Sequence, residues 1–162
     1  MDTISSLALA VDIPLINEVG VLLGNSFIYA GIVVLMMILA EKRDGKRLKI
    51  LLSLILTFIA VSAIKSAIAL ERPCAGEDWC PWGYSFPSAH AAVAFALMIA
   101  FVDKKSYPLF LLFALFVSFS RLNLGVHVFH DIAGALPIAI ISYYVTDILW
   151  KRYGPKEMEG GR

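Results

Sequence analysis

"VGVLLGNSFIYAGIVVLMMILA", Val19 to Ala40, runs for 22 residues without a charge. A helix needs about 20 mostly apolar residues to cross the hydrocarbon core of a bilayer. This run therefore predicts a membrane span and sets the class to which the rest of the chain is read. Ile50 to Leu70 follows, 21 residues with Lys65 as its one charge. Three shorter uncharged runs come after it: Ser88–Val102, Ser106–Ser120 and Ile132–Thr146, each of 15 residues. They suffice as spans where their ends continue into polar, protein-lined ground.

Composition agrees. Of 162 residues, 59% are hydrophobic and only 17% charged, against about a quarter charged in soluble domains. The expectation is an all-α integral membrane helical bundle, a single domain over 1–162, with about five transmembrane helices. The opening "MDTISSLALAVDIPLINE" has no basic stretch of the kind that starts a secretory signal. Residues 1–18 are expected either to lie on the membrane interface or to fray. Residues 151–162 are expected to form a cytoplasmic tail.

The cations give the orientation. Lys42, Arg43, Lys46, Arg47 and Lys49 follow the first span, Lys104 and Lys105 follow the third, and Lys151, Arg152, Lys156 and Arg162 lie in the tail. With five spans these segments share one side, which the positive-inside rule makes the cytoplasm. The N-terminus is then outside. Only Lys65, Arg72 and Arg121 remain, all near the outer ends of spans. Snorkelling to headgroups explains any one of them. It explains less well why all three gather on the side that holds the histidines.

Three short motifs converge there. In "KSAIALERP", Lys65 and Arg72 are seven residues apart, two turns if the helix continues, so they would share a face before Pro73 ends it. Stacked cations suit a multiply charged anion. In "PSAH", Ser88 is placed to cap a helix whose free N–H groups attract an anion, with His90 two residues on. In "SRLNLGVHVFHD", Arg121 precedes His127 and Asp131, four residues apart and stacked on one face if helical. A carboxylate there fixes the tautomer of His127 and leaves its other nitrogen free to attack. His130 is expected to point elsewhere, as an interfacial or partner-bonded histidine. Asn123 and Gly125 are expected in the outer turn. No carboxylate cluster is left for a metal, so metal-independent phosphoryl transfer without a cofactor is the simpler expectation. For Cys74 and Cys80 two readings stay open, a disulfide or a pair of free thiols; a zinc site lacks further ligands.

With these motifs the chain resembles the type 2 phosphatidic acid phosphatase superfamily, which includes glucose-6-phosphatase and vanadium haloperoxidases. The family pattern is Lys, six residues, Arg-Pro; Pro-Ser-Gly-His; and Ser-Arg, five residues, His, three residues, Asp. The chain has Lys65…Arg72-Pro73, Pro87-Ser88-Ala89-His90 and Ser120-Arg121…His127…Asp131, with every spacing kept. The resemblance implies that His127 is a nucleophile oriented by Asp131 and that His90 protonates the leaving oxygen. It implies that Lys65, Arg72, Ser88, Ala89 and Arg121 hold phosphate, Ala89 through its backbone N–H. Ala89 departs from the family's glycine; a Cβ costs little there if the residue is helical. Ser120 belongs to the motif without a direct role.

The resemblance further implies a lipid phosphate or diphosphate as substrate, in the membrane, with no nucleic-acid partner. An undecaprenyl-type polyprenyl diphosphate is the favoured substrate, with phosphatidylglycerophosphate or phosphatidate close behind. Glucose-6-phosphate and haloperoxidase chemistry rank lower. The alternative of another class is a non-catalytic lipid-phosphate binding or transport protein.

Overall fold

The computed structural model describes residues 2–11 and 13–155. The described residues form seven helices: α1 (Thr3–Leu9), α2 (Pro14–Gly24), α3 (Ser26–Ala40), α4 (Asp44–Ile68), α5 (Ala89–Ala100), α6 (Tyr107–Asn123) and α7 (Phe129–Tyr153). No strand occurs among the described residues. The protein is an all-helical membrane bundle, as expected.

The stretch Val19–Ala40 is not one helix. Asn25 ends α2 and begins α3, its side-chain oxygen accepting the N–H groups of Phe27 and Ile28 at 3.0 and 3.2 Å. An asparagine that caps its own downstream backbone competes with helix continuation, and here it divides an otherwise uninterrupted apolar run. Among the described residues, α4 and α7, at 25 residues each, are the helices long and apolar enough to cross a membrane, with the α1–α2 pair as a third if taken as one bent span. α3, α5 and α6 have 15, 12 and 17 residues, so at 1.5 Å per residue they extend only about 18–26 Å.

α5 is the centre. Ala91, Ala92, Ala94, Ala96 and Leu97 are fully buried, and α5 packs against α4, α6 and α7. Its small side chains let neighbouring backbones approach closely, as helix packing in lipid favours. Facing it are Val61 of α4, Ala114 and Val117 of α6, and Ala135 and Ala139 of α7, all without exposed surface.

The two ends of the bundle differ chemically. At one end Asp147 of α7 accepts Lys49 of α4 and Lys151, both at 2.7 Å. Buried Glu41 there binds Arg43 at 3.0 Å and Lys104 at 3.2 Å. Lys46, Arg47 and Lys49, expected in a loop, are in the first turns of α4, because α4 continues past its apolar stretch into the polar ground where its cations pair. Lys151 and Arg152, expected in the tail, end α7; Lys156, Arg162 and the rest of 156–162 lie outside the described residues, as does Asp12.

The opposite end carries the motifs. There α1 packs into the α6–α7 connection. Ser5 Oγ accepts the Phe129 N–H at 2.8 Å, and Asn123 Nδ2 donates to the carbonyls of Ala8 and Val11 at 2.9 and 2.6 Å. Asn123 is therefore not a turn residue but the buried last residue of α6. The N-terminal segment is helical and docked, not frayed: Ser5 and Ala8 are buried, while Leu7 and Leu15 are exposed.

Candidate active site

α4 stops before Arg72. Ala69 takes a left-handed conformation (φ 52°), with its N–H bonded to the Lys65 carbonyl. Lys65 and Arg72 therefore do not share a helical face. The intervening chain turns instead, and contacts with the segment before α5 replace the helical register. Lys65 Nζ donates to the carbonyls of Tyr84 and Ser85 at 2.6 and 2.9 Å. Arg72 donates to Gly83 O and Val126 O, both at 3.1 Å. Cys74 and Cys80 are joined as a disulfide inside the same loop.

His127 lies just before α7, not on it, since the helix begins at Phe129. The four-residue spacing nonetheless works through the N-terminal turn: His127 Nδ1 is 3.0 Å from Asp131 Oδ2. The carboxylate keeps the proton on Nδ1 and leaves Nε2 with its lone pair. Nε2 faces Arg72 Nη1 at 3.3 Å. Burial pushes the His127 imidazole down to about 4, against the upward pull of its bond to Asp131, so the ring is neutral near pH 7.

Asp131 is fully buried and serves more than His127. Its Oδ2 also accepts the Val128 N–H at 3.0 Å and the Ser85 hydroxyl. Its Oδ1 has His130 Nε2 at 3.4 Å. His130 thus contacts Asp131 after all, although 59% of its side chain is exposed. The approach is not a hydrogen bond, since Asp131 Oδ1 has no hydrogen-bond partner, and His130 stands as a half-exposed histidine on the rim.

Ser88 occupies the N-cap position of α5, yet its side chain makes no capping bond. Its Oγ is buried without a hydrogen-bond partner, and so is His90 Nε2 two residues on. A buried polar atom without a partner is costly, and these two belong to residues two apart at a helix N-terminus, chemistry that suits an anion. Ala89 is the first residue of α5, so its Cβ sits on ordinary helical backbone. His90 is within electrostatic reach of His127, Arg72, Lys65 and Arg121.

Arg121 is buried in the last turn of α6. Its Nη2 donates to the Gly20 carbonyl of α2 and, at 3.2 Å, to Ser120 Oγ. Ser120 thus has a task the motif alone did not disclose: it holds the guanidinium beside it. Gly24 matters for space, because a Cβ there would meet Arg121 Nη1 at 3.3 Å. The small pair Gly20 and Gly24, four apart in the opening stretch, was the available sequence signal for this close helix approach.

Two further residues escaped the sequence reading. Tyr29 of α3 donates its hydroxyl to the His90 carbonyl at 2.7 Å, with its ring 4.7 Å from the imidazole. Nothing in the α3 sequence marks it. Ser85 sits two residues before the Pro-Ser-Ala-His motif, where its position was the only clue. Its neighbour Phe86 fits against Gly134 of α7, where an added Cβ would fall 2.6 Å from the ring Cζ and closer still to Cε2.

Beside His90 an apolar cavity of about 290 Å³ opens between α3, α4 and α5, lined by Tyr29, Val33, Leu54, Phe58 and Val93 among others. Its rim residues Val34, Ile55 and Phe58 face outward. A cluster of cations and histidines at one end of an all-helical membrane bundle, with an apolar recess beside it, defines the class as a membrane-embedded phosphate-handling protein.

Residues 46–154 match the model of the PAP2 superfamily, and the chain belongs to that superfamily. Its fold is similar to the crystal structure of LpxE from Aquifex aeolicus, with a TM-score of 0.72 and 21% identity over 90% of this chain and 93% of that one. It is also similar to the crystal structure of a transmembrane PAP2 type phosphatidylglycerolphosphate phosphatase from Bacillus subtilis. There the TM-score is 0.70 and the identity 22%, over 93% of this chain and 84% of the other.

Proposed function

We propose that the protein is a membrane lipid phosphatase, one membrane-embedded domain over 1–162, that works through a phosphohistidine at its extracytoplasmic face. The observation that carries the reading is the paired state of His127: Nδ1 bonded to Asp131, Nε2 presented to Arg72.

The phosphoryl group sits among Lys65, Arg72, Arg121, the Ser88 hydroxyl and the first N–H groups of α5, including that of Ala89. His127 Nε2 attacks phosphorus, and the bond from phosphorus to the leaving oxygen breaks. His90, protonated to the imidazolium as the anionic substrate binds beside it, gives that oxygen a proton from Nε2 and becomes neutral. Water then attacks the phosphohistidine, His90 takes back a proton, and phosphate leaves with His127 restored. The cations offset the charge on the phosphoryl oxygens throughout, and the proposed chemistry requires no metal or other cofactor.

The apolar cavity supports a lipid substrate. It begins at His90, the residue that serves the leaving group, so the departing hydrocarbon would lie on that side. One cavity suits the single chain of a polyprenyl diphosphate of the undecaprenyl type, the favoured substrate. The similarity to the Bacillus phosphatase favours phosphatidylglycerophosphate as the second reading. The cationic end near Lys49, Lys104 and Lys151 supports a cytoplasmic C-terminus, with the site and the N-terminus outside.

The test is phosphate release by purified protein in detergent from a panel of polyprenyl diphosphate, phosphatidylglycerophosphate and phosphatidate. Wild type should be active, with and without EDTA, and His127→Ala at least 1,000-fold slower, about 4 kcal/mol of barrier. Absence of release with tight lipid binding would replace the enzyme by a binding or transport protein.

A further inference from the structure

Ser85 lies outside the three motifs, yet it touches the core of the site from three directions. It is 1% exposed. Its N–H donates to the Leu70 carbonyl at 2.7 Å, just beyond the end of α4. Its own carbonyl accepts Lys65 Nζ at 2.9 Å. Its hydroxyl donates to Asp131 Oδ2 and stands 3.4 Å from His127 Nδ1. On either side the chain is keyed to α7: the Phe86 ring fills the space left at Gly134, and the Ser88 N–H bonds the Asp131 carbonyl at 3.1 Å.

We infer that Ser85 is a positioning residue for the reaction, a third member of the His127–Asp131 pair that sets the carboxylate in the plane His127 needs. The inference rests on the proposed function. A carboxylate oxygen that accepts from Ser85, Val128 and His127 together has little freedom to rotate. With the serine backbone pinned by Leu70 and Lys65, the hydroxyl arrives at a set point instead of searching for one. The same backbone links Lys65, proposed to hold phosphate, to Asp131, which orients the nucleophile. The two halves of the site are thus registered through one residue. No proton is transferred by Ser85; it donates one hydrogen bond throughout.

The experiment uses the full-length protein in detergent, with polyprenyl diphosphate and phosphatidylglycerophosphate as substrates. Ser85→Ala should lower kcat 10- to 100-fold while KM stays within about twofold, because the lipid and phosphate contacts remain. Ser85→Thr, which restores the hydroxyl, should recover at least a third of the lost kcat. In an Asp131→Asn background, Ser85→Ala should cost less than threefold more, since a residue acting through Asp131 has nothing left to act upon. Equal kcat in wild type and Ser85→Ala overturns the inference, as does a loss confined to KM, or full additivity with Asp131→Asn. If Ser85→Ala does not fold, Ser85→Cys, similar in size to serine but a much weaker donor, takes its place under the same criteria. Wild-type protein without phosphatase activity overturns the proposed function itself, and this inference with it; an active wild type with an indifferent Ser85 overturns the inference alone.

Discussion

Gly134 of α7 gives the sharpest test of how the fold holds the site. In Gly134→Ala the new methyl would stand 2.6 Å from Phe86 Cζ, with Cε2 closer. Carbon atoms settle about 3.5–4.0 Å apart, so the ring must withdraw by roughly 1 Å. Phe86 is flanked by Ser85, on the Asp131 carboxylate, and Pro87–Ser88, at the start of α5. A shift of that size reaches both halves of the site. Helix propensity acts in the other direction, since alanine is better than glycine inside a helix by up to about 1 kcal/mol. Overpacking costs about 1–3 kcal/mol, so the net change in stability should be a loss of about 0–2 kcal/mol. Catalysis should suffer more, because a displacement near 1 Å costs on the order of 100-fold in rate. The assay is kcat for phosphate release alongside thermal unfolding, for Gly134→Ala and for Gly134→Ala with Phe86→Leu. The double variant should regain at least tenfold of the lost rate. A Gly134→Ala protein with wild-type kcat and raised Tm would refute the reasoning, since it would show that Phe86 moves without disturbing its neighbours.

Other expectations test separate parts of the molecule. Tyr29→Phe deletes the bond to the His90 carbonyl; it should cost about 1 kcal/mol of stability and lower kcat severalfold, measured by unfolding and phosphate release. Gly24→Ala crowds Arg121 Nη1 and should raise KM with little change in the melting profile. Burial holds the folded His127 near 4, below its ordinary 6.5, so the unfolded chain binds the extra proton between those values. The contribution of His127 to stability is complete above about pH 6.5 and is lost as pH falls towards about 4; Tm against pH for wild type and His127→Asn should diverge in that window. Glu41→Gln weakens the pairs with Arg43 and Lys104 at the far end and should lower stability by about 1–3 kcal/mol while kcat for phosphate release at 25 °C stays unchanged.

How far each feature could be read from the residues follows the range of the interactions behind it. Membrane class and helical character are carried by uncharged runs, a property of composition along the chain. The roles expected for Lys65, Arg72, His90, His127 and Asp131 came from spacing and family resemblance. The geometry behind those spacings was another matter. Two helical turns from Lys65 to Arg72 gave way to a left-handed residue at Ala69, and the His127–Asp131 pair forms around a helix start. The sequence alone determined that the chain is apolar, helical and built to gather cations and histidines near one end, because charge placement and periodicity are local. Only the tertiary structure decided that Val19–Ala40 breaks at Asn25, that Tyr29 meets His90 and Ser85 meets Asp131, and that Gly20, Gly24 and Gly134 leave space for their neighbours. Those facts depend on which surfaces meet, and a glycine, a tyrosine or a serine acquires its meaning from the neighbour brought to within hydrogen-bond or van der Waals distance.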